Sequence, residues 1–546
     1  MKRIFLSAIV FVFVLSGTVN VWAQAPDWLW STNAGYNSYD ESLSIDYDHH
    51  GNCYVVGYYN TYIYNLPHSN GPDGFIAKYN LAGTLIYTAA ISDTGRERIT
   101  NIAFDKLGNY YIVGTFDGPK LELCNESFVN AANNATDIFI AKFDSTDQCI
   151  WARHAGGTDD EMPTGLAVDS IGNCYITGSF NSPSISFGAF PLINSGGGNS
   201  DLFIAKYDSA GTALWARSAD GTVGSAETSK SIAIDKTGNC YITGSTNADS
   251  LWFDTFLLKK VTNFNMYFAK FAPDGSALWA IRSAGTGDSQ GNTVTVDGES
   301  NCYLAGSFKN NITFGDTTLT SAGYRDVFIV KYDADTNVQW ARAAGGSADD
   351  EGSVVATDKL GYSYLTGYFK SDSISFGTWP LANNGSGFSD IFITEYEPNG
   401  TIAWAKSIGG ATNDTPNDIA PDESRNFIIA ASFGSTAITI GDTTLYNAGT
   451  VDVLVAKSGN TPASGIAEAV AQSGTIIYPN PASDFIVVSS DQNSTIEIMN
   501  MQGQVIKTVN SKMGETRISV SEFPAGIYLV NIRNDNSFQT FKLIKL

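Results

Sequence analysis

A seven-residue phrase recurs seven times at a nearly constant spacing, and it constrains the fold more than any other feature of the chain. Each copy opens with Asp or Asn and continues as a short apolar and aromatic run. The copies start 64, 64, 64, 61, 64 and 62 residues apart. They are Asp73–Tyr79 (DGFIAKY), Asp137–Phe143 (DIFIAKF), Asp201–Tyr207 (DLFIAKY), Asn265–Phe271 (NMYFAKF), Asp326–Tyr332 (DVFIVKY), Asp390–Tyr396 (DIFITEY) and 452–458 (DVLVAKS). A fixed period is the signature of a repeat architecture in which each repeat is one supersecondary unit.

Each repeat predicts four short antiparallel strands. Around the third copy, the strands are expected at 165–169, Cys174–Phe180, Asp201–Tyr207 and Ala213–Ser218. Short β-branched and aromatic runs separated by Gly, Asn and Asp turns are typical of antiparallel strands. No segment after the N-terminus shows a sustained helical period. Four antiparallel strands repeated in this way form the blade of a β-propeller, so the chain is expected to be all-β.

The ends of the repeat array are out of phase by one strand. The fourth-strand motif follows only six of the seven third strands, at Tyr87, Trp151, Trp215, Trp279, Trp340 and Trp404. The missing copy lies at the other end of the array, because WSTNAG at 30–35 resembles WARHAG at 151–156. The N-terminal segment is therefore predicted to supply the outer strand of the last blade. This predicts a closed seven-bladed β-propeller over residues 26–457.

The segment GLAVDSIGNCYITGSF at 165–180, with its copies, resembles the bacterial β-propeller repeat known as the SBBP repeat. The resemblance covers roughly residues 27–457. It implies the propeller architecture and no common reaction.

Both termini carry targeting features. Lys2 and Arg3 precede an apolar run at 4–15, and Ala23 ends a cleavage pattern, which predicts a signal peptide over 1–23. The run is too short to span a membrane comfortably, and the mature chain is expected to contain no transmembrane segment. Residues 458–473, rich in Ser, Gly, Ala and Thr, are predicted to be a flexible linker.

The last segment, 474–546, contains six strand-like runs and predicts a small β-sandwich. Its motifs YPNP (478–481), IEIMNMQGQVI (496–506), PAGIYLVNI (524–532) and KLIKL (542–546) resemble the type A sorting domain of the type IX secretion system of Bacteroidetes-type bacteria. The resemblance implies the secretion machinery as partner, export through the periplasm, and a location outside the cell or on its outer surface. In that family the domain is commonly cleaved after export. The alternative is a small accessory adhesive domain.

Charge and cysteine usage limit the partners. The net charge is −23 and the pI is about 4.4, so a nucleic-acid partner is not expected because such a surface repels phosphate. Cys53, Cys174, Cys240 and Cys302 occupy one repeat position and are expected to be free and buried. Cys124 and Cys149 lie outside that pattern, and whether they pair stays open. The scattered histidines and the lack of a CxxC motif make a zinc site unexpected.

The repeated side chains are interpreted first as structural. The aspartates that end the first strands are expected to accept hydrogen bonds within turns; they are taken to be Asp46, Asp105, Asp169, Asp235, Asp297, Asp358 and Asp422. The aspartates that open the third strands are given a similar role, with a cation-attracting ring, broken at Asn265, as the alternative. The recurring Trp is expected to pack between blades, and a sugar-stacking platform is the alternative.

Two acidic segments interrupt the repeat and are the candidate cation sites. They are GGTDDE at 156–161 and GGSADDE at 345–351. Clustered carboxylates suit Ca²⁺, although the spacing matches no EF-hand loop. The candidate ligands are Asp159, Asp160, Glu161, Asp349, Asp350 and Glu351.

No catalytic residue and no resident cofactor is assigned from the sequence. The G-x-S-x-G, HExxH and P-loop motifs are absent from it. The leading hypothesis is a secreted or cell-surface propeller that binds or adheres to an extracellular polymer, glycan or protein. The alternatives are an extracellular polysaccharide- or peptide-degrading enzyme that uses acids on one propeller face, and a structural component of the cell surface.

Overall fold

Four strands from each repeat pair into one small antiparallel sheet. The computed structural model describes residues 25–459 and 476–545, apart from short gaps at 67, 70, 131, 133–134, 196, 198, 423, 479–481, 483–484, 491–492, 501–503, 525 and 534–537. In the part up to residue 459, the strands form seven four-stranded sheets, each ordered first, second, third, fourth. The described chain is thus all-β, and strands are numbered below in chain order.

The first and second strands of each sheet are joined by a tight turn. The first strands are β2 (Asp40–Tyr47), β6 (Glu97–Phe104), β12 (Glu161–Val168), β19 (Glu227–Ile234), β26 (Ser289–Val296), β32 (Asp350–Thr357) and β38 (Asp414–Pro421). The second strands are β3 (Cys53–Tyr59), β7 (Tyr110–Phe116), β13 (Cys174–Phe180), β20 (Cys240–Thr246), β27 (Cys302–Phe308), β33 (Ser363–Phe369) and β39 (Phe427–Phe433).

The recurring phrase forms the third strands, which are almost wholly buried. They are β4 (Asp73–Tyr79), β10 (Asp137–Phe143), β16 (Asp201–Tyr207), β23 (Asn265–Phe271), β30 (Asp326–Tyr332), β36 (Asp390–Tyr396) and β42 (Asp452–Gly459). The outer fourth strands are β5 (Leu85–Ile91), β11 (Cys149–Ala155), β17 (Ala213–Ser218), β24 (Ala277–Arg282), β31 (Val338–Ala344) and β37 (Ile402–Ile408).

The fourth strand of the last sheet is β1 (Asp27–Ala34), from the beginning of the described chain. It pairs antiparallel with β42, and Trp30 lies opposite Lys457. This is the pairing that the offset in the repeat predicts. β42 continues through Gly459, and the hydroxyl of Ser458 donates to the carbonyl of Asp27 at 3.0 Å. The predicted start of the linker at residue 458 is therefore wrong, because that residue is still part of a buried strand.

Each first strand contacts the first strand of the next sheet, and β38 contacts β2. The arrangement is propeller-like. Short hairpins are inserted between second and third strands and pack beside the outer strands. They are β8 (Lys120–Leu123) with β9 (Glu126–Val129), β14 (Ser184–Phe187) with β15 (Phe190–Ile193), β21 (Ser250–Phe253) with β22 (Phe256–Lys259), β28 (Asn311–Phe314) with β29 (Thr317–Thr320), β34 (Ser373–Phe376) with β35 (Trp379–Ala382), and β40 (Ala437–Ile440) with β41 (Thr443–Tyr446). Two short strands that follow fourth strands each pair with one of these hairpins: β18 (Asp220–Gly221) with β21, and β25 (Ala284–Gly285) with β28.

The recurring Trp ties the outer strand of one sheet to a turn of the next. The Trp151 indole N–H donates to the carbonyl of Ser209 at 3.1 Å, and Arg153 donates to the carbonyl of Gly211 at 2.7 Å. Gly211 has φ +79°, and a Cβ there would lie 2.7 Å from the Trp151 ring. The same contacts recur for Trp215 and Trp340. The ring thus packs between sheets, as expected.

The cysteines follow the pattern of the repeats. The four cysteines at the repeated position are buried and free, as predicted. Cys124 and Cys149 form a disulfide, with their Cα atoms 5.5 Å apart. The bond attaches the turn between β8 and β9 to the outer strand β11.

The chain divides into two compact units, residues 1–460 and 461–546. In the second unit, two antiparallel sheets enclose an apolar core that includes Ile486, Ile498 and Val530. Its strands are β43 (Ile476–Tyr478), β44 (Phe485–Ser490), β45 (Ser494–Met499), β46 (Val505–Ser511), β47 (Gly514–Ser519), β48 (Gly526–Arg533) and β49 (Phe538–Lys545). The predicted signal peptide and most of the predicted linker lie outside the described residues.

Candidate binding face around the central cavity

The two ends of the sheets differ in chemistry. One end, the lower face, carries the turns between first and second strands. At each turn an Asp carboxylate accepts hydrogen bonds from two backbone N–H groups. For Asp105 the donors are Leu107 N at 2.9 Å and Asn109 N at 3.0 Å. The lower face is therefore a repeated set of Asx-type turns, in line with the structural interpretation.

For the first repeat, the prediction of Asp46 as the turn residue is wrong. Asp48, and not Asp46, accepts from the backbone N–H groups of His50 and Asn52 at 2.9 Å each. β2 extends to Tyr47, so Asp46 is still inside the strand. Burial raises the pKa of Asp46 to about 7. The Asp-x-x-Gly-Asn spacing at 48–52 marks the correct residue.

The seven first strands line one central cavity of about 790 Å³. Each first strand contains a β-bulge, and a bulge leaves one residue unpaired and re-aims its side chain. The bulged residues all line the cavity, and they are Leu43, Thr100, Thr164, Lys230, Asn292, Ser353 and Asn417. Their side chains differ from repeat to repeat, so the cavity wall is a place where the copies diverge.

A glycine in the second strand makes room for the bulge. A Cβ on Gly178 would lie 2.1 Å from the carbonyl oxygen of Met162, which approaches from the neighbouring first strand. The equivalent Gly57 would place a Cβ 1.9 Å from the carbonyl oxygen of Glu41. The recurring Gly of the CYITGSF motif is thus explained by close backbone approach.

The opposite end, the upper face, is where the first strands begin, and its residues vary. At the cavity mouth, the Tyr58 hydroxyl donates to Glu41 Oε2 at 2.7 Å. The Arg98 guanidinium lies 4.4 Å from the centroid of the Tyr58 ring, within cation–π range. Burial raises the pKa of Glu41, while the Tyr58 hydrogen bond and the Arg98 charge oppose that rise.

Four tyrosines, Tyr36, Tyr39, Tyr58 and Tyr62, form a tyrosine patch beside this mouth. The rings of Tyr39 and Tyr58 are stacked with centroids 6.2 Å apart. Tyr36 and Tyr62 meet edge to face at 6.1 Å and are 51% and 61% exposed. An exposed aromatic pair offers flat apolar surface together with hydroxyl groups. These four tyrosines lie outside the sequence motifs of the repeat. The feature that could have indicated them is the excess of Tyr in the first repeat.

A second cavity of about 390 Å³ adjoins the central one on the upper face. Arg98 and Met162 line both cavities. Arg96 forms an ion pair with Asp117 in its wall. The rest of the wall is polar and includes Asp160. Together, the tyrosine patch and this cavity form a polar and aromatic surface across the first three sheets.

The six candidate cation ligands point in different directions. In the first segment, Glu161 is buried and accepts from Gly157 N at 3.1 Å and Ser182 N at 3.3 Å. Asp160 accepts from Thr136 N at 3.0 Å, and Asp159 is exposed. Asp159 and Asp160 precede β12, whereas Glu161 opens it, and the three carboxylates differ in burial and in hydrogen-bond partners.

The carboxylates of the second segment also differ in their environments. Asp350 is buried and takes four hydrogen bonds, whereas Glu351 accepts from Asn292 at 3.0 Å and Tyr368 at 3.3 Å. Asp349 contributes its backbone carbonyl to Lys370 N. Among the residues that the structure describes, no group of three or more His, Cys, Asp or Glu side chains is placed to hold a metal ion.

Comparisons with known proteins match the two units separately. Residues 476–546 match the secretion system C-terminal sorting domain, and residues 223–251 match a β-propeller repeat, the SBBP repeat. The sorting domain indicates export through the type IX secretion system to the cell surface or the extracellular space. No helix in the described part of the chain is long and apolar enough to cross a membrane.

Two curated proteins are similar to this chain at low identity. An uncharacterised WD repeat-containing protein of Acanthamoeba polyphaga mimivirus is 24% identical over 428 residues, covering 64% of this chain and 31% of that protein. The regulatory protein FlaEY of Caulobacter vibrioides is 24% identical over 396 residues, covering 67% of this chain and 39% of that protein. The chain thus spans less than two fifths of the length of these relatives.

Solved structures give distant likenesses. A PL25 ulvan lyase, a polysaccharide lyase, has a TM-score of 0.39 and 12% identity, covering 77% of this chain and 97% of that one. PorZ, a surface component of the type IX secretion system of Porphyromonas gingivalis, has a TM-score of 0.18 and 8% identity, covering 94% of this chain and all of that one. TM-scores below 0.5 assign no activity.

Proposed function

We propose that this exported protein is a binding or adhesion protein built on a seven-bladed β-propeller, with its ligand site on the upper face. The seven four-stranded sheets are the blades, and β1 closes the ring by completing the last blade. The pairing of β1 with β42 and the contact of β38 with β2 support this closure. The C-terminal unit delivers the propeller to the outside of the cell through the secretion machinery.

The observation that carries the proposal is the difference between the two faces. The lower face repeats one hydrogen-bonded turn, which serves the blades themselves. At the mouth of the central cavity, the upper face carries the tyrosine patch and Arg98, and neither of these recurs in all sheets. Binding residues are disproportionately found on variable connections held by a rigid scaffold.

The chemistry of the upper face favours an extracellular glycan as the ligand. The exposed rings of Tyr36 and Tyr62 can stack on the C–H faces of sugar rings, as amphipathic aromatic side chains do at binding surfaces. Arg96, Asp117 and Asp160 in the adjoining cavity can exchange hydrogen bonds with hydroxyl groups. An apolar surface with a few oriented polar groups is the usual composition of a ligand site.

Glycan and protein arrays probed with the full chain test the proposal. We expect binding to a glycan, weakened about tenfold in the Tyr36→Ser/Tyr62→Ser variant, since two aromatic contacts at about 0.5–1.5 kcal/mol each are lost. Tyr446→Ser is the matched control, because Tyr446 is 69% exposed on the β40–β41 hairpin. Equal affinities of all three proteins, or no binding on either array, would contradict the proposal.

One observation favours an enzyme as the second candidate. Glu41 is an acid with a raised pKa that lines the central cavity and is hydrogen-bonded to Tyr58. A carboxyl group of this kind can serve as a general acid or base for cleavage of a polysaccharide or peptide. Turnover of such a polymer by the full chain, abolished in Glu41→Gln, would establish this candidate. Binding without turnover would reject it.

A further inference from the structure

Buried pairs of carboxyl groups link neighbouring sheets at the upper face. In each pair, the acid that opens a first strand donates its backbone N–H to the carbonyl of the residue just before the acid that opens the third strand of the neighbouring sheet, at 2.7–2.9 Å, so the two acids lie at one junction. Every member is at most 2% exposed. Two adjacent carboxyl groups without solvent cannot both ionise cheaply. The pairs are Asp73 with Glu97, Asp137 with Glu161, Asp201 with Glu227, Asp326 with Asp350, Asp390 with Asp414, and Asp452 with Asp40.

The seventh junction shows that the two positions change together. There the third strand opens with Asn265 and the next first strand opens with Ser289, so both acids are replaced by neutral groups. Ser289 Oγ accepts from Met266 N at 3.1 Å and lies 2.8 Å from Ser283 Oγ. A junction that lacks one acid also lacks the other, which marks each pair as one unit.

The hydrogen bonds of the Asp326–Asp350 pair distribute the charge unequally. Asp350 accepts from Gly346 N and Ser371 Oγ at 2.8 Å each, and from two further backbone N–H groups. Asp326 Oδ2 accepts from Ala322 N at 2.7 Å, whereas its buried Oδ1 has no hydrogen-bond partner. The donors therefore favour a carboxylate at Asp350 and leave one oxygen of Asp326 available for a proton.

The same asymmetry recurs at two other junctions. Asp390 Oδ1 and Asp452 Oδ1 are also buried without a partner. Their facing acids are supplied with donors: Asp414 accepts from Ser435 Oγ at 2.8 Å, and Asp40 accepts from Tyr36 N at 3.0 Å.

We propose that the pairs Asp326–Asp350, Asp390–Asp414 and Asp452–Asp40 each hold one shared proton, carried on the unpartnered oxygen of one acid and donated to the facing carboxylate, so that these pairs are proton-linked clamps between neighbouring sheets. In the Asp326–Asp350 pair the proton is on Asp326 Oδ1. The inference concerns the scaffold and does not depend on the identity of the ligand.

Burial raises the pKa of both acids in each of these three pairs, including Asp350, Asp414 and Asp40. Burial first, and the facing acid as well, raises the pKa of Asp326, Asp390 and Asp452 to about 6 in each case. A raised pKa means that the folded chain binds more protons than the unfolded chain above pH 4. The stabilisation is therefore complete below the ordinary pKa of Asp and is lost as the pH rises through about 6.

Other charged groups face some of the pairs. His68 lies 2.9 Å from Asp73 and His154 lies 2.7 Å from Asp137. Asp93 and Asp117 also act on Glu97. In the three pairs chosen for the test, the carboxyl groups that face Asp326, Asp390 and Asp452 are Asp350, Asp414 and Asp40, and the charge of His68 also acts on Asp40.

Thermal unfolding of the full chain at pH 5 and pH 8 tests the proposal, followed by Trp fluorescence. All ten Trp residues precede residue 461, so the signal reports on the first unit alone. The wild-type midpoint should be lower at pH 8 than at pH 5. The triple variant Asp326→Asn/Asp390→Asn/Asp452→Asn should keep the pH 5 midpoint and lose less at pH 8, because an amide N–H₂ replaces the shared proton.

Two matched variants separate proton sharing from a plain structural role. Asp350→Asn replaces one of two carboxylate oxygens, each of which accepts from two donors, with an N–H₂ group and should lower the midpoint at both pH values. Asn265→Asp places an acid opposite Ser289 and should add a loss at pH 8 alone. In addition, the infrared band of protonated carboxyl groups at pH 7 should be weaker in the triple variant than in the wild type.

Three results would overturn the proposal. The first is a triple variant that is destabilised equally at both pH values. The second is an unchanged carboxyl band. The third is a wild-type midpoint at pH 8 that rises in calcium chloride and falls in EDTA, since that result would place a cation and not a proton between the acids.

Discussion

At the scale of residues, the repeat shows which side chains depend on each other. A Lys of the third strand occupies one position in six sheets; Lys142, for example, lies 3.7 Å from Asp105 and 4.8 Å from the Tyr111 ring centroid. In the remaining sheet Glu395 takes this position and pairs with Arg425. Arg425 stands where the turn has Gly in most other repeats, with φ 62°. The two exceptions thus compensate each other.

Replacing Glu395 or Arg425 alone by the residue that other repeats have should destabilise the chain more than replacing both. Glu395→Lys puts two cations in contact, and Arg425→Gly leaves the buried Glu395 without its ion-pair partner and with the hydrogen bond from Trp404. We expect each to lower the free energy of unfolding by about 1–3 kcal/mol, less than the full cost of a broken buried pair because Arg425 is partly exposed. The double variant Glu395→Lys/Arg425→Gly should recover most of the loss in urea unfolding. Additive losses would contradict the coupling.

At the scale of elements, β1 connects the last sheet to the first. The Trp30 indole N–H donates to the carbonyl of Leu81 at 3.0 Å, and the ring covers Gly83, where a Cβ would lie 2.6 Å away. β1 therefore covers the edge of β42 and contacts the turn of the first sheet. An uncovered β42 would be an edge strand with every residue otherwise buried, which favours aggregation.

Trp30→Ala should lower the free energy of unfolding by about 2–4 kcal/mol, because a large, partly buried ring and its hydrogen bond are lost. Deletion of 27–34 should be more severe and should lower the thermal midpoint sharply. Leu29→Ala is the control for the point variant, since Leu29 is 42% exposed beside it in the same strand. Unfolding of Trp30→Ala at the same urea concentration as Leu29→Ala would show that β1 does not hold the last and first sheets together.

The sequence predicted strand order well because the repeat samples each strand seven times. The first repeat departs from the others, and there the prediction of Asp46 is wrong because the turn residue is Asp48, two positions later. The shared placement of Leu43 and Lys230 on the cavity wall was not predictable, since a bulge shifts the strand alternation by one residue. Likewise, Asp326 and Asp350 belong to different repeats, and only the fold shows that they lie at one junction, where Asp350 N donates to the carbonyl of Arg325 at 2.8 Å.

At the scale of the whole molecule, the two units carry separate tasks. The first unit holds the variable upper face, and the second matches a sorting domain over residues 476–546. The second unit has its own apolar core, which includes Val488, Ile496 and Leu543. A unit with its own core can act as a sorting signal for the protein that precedes it, because its recognition surface does not require residues of the propeller.

Removal of residues 461–546 should therefore block export without unfolding the first unit. We expect the truncated chain to accumulate in the periplasm of the producing bacterium, with a Trp fluorescence midpoint close to that of the full chain. The reciprocal fusion of 461–546 to a periplasmic carrier protein should appear at the cell surface or in the medium. Cell fractionation of the truncated chain, the fusion and the full chain measures where each protein accumulates. Export of the truncated chain at the full-chain level, or retention of the fusion, would show that the address lies elsewhere in the molecule.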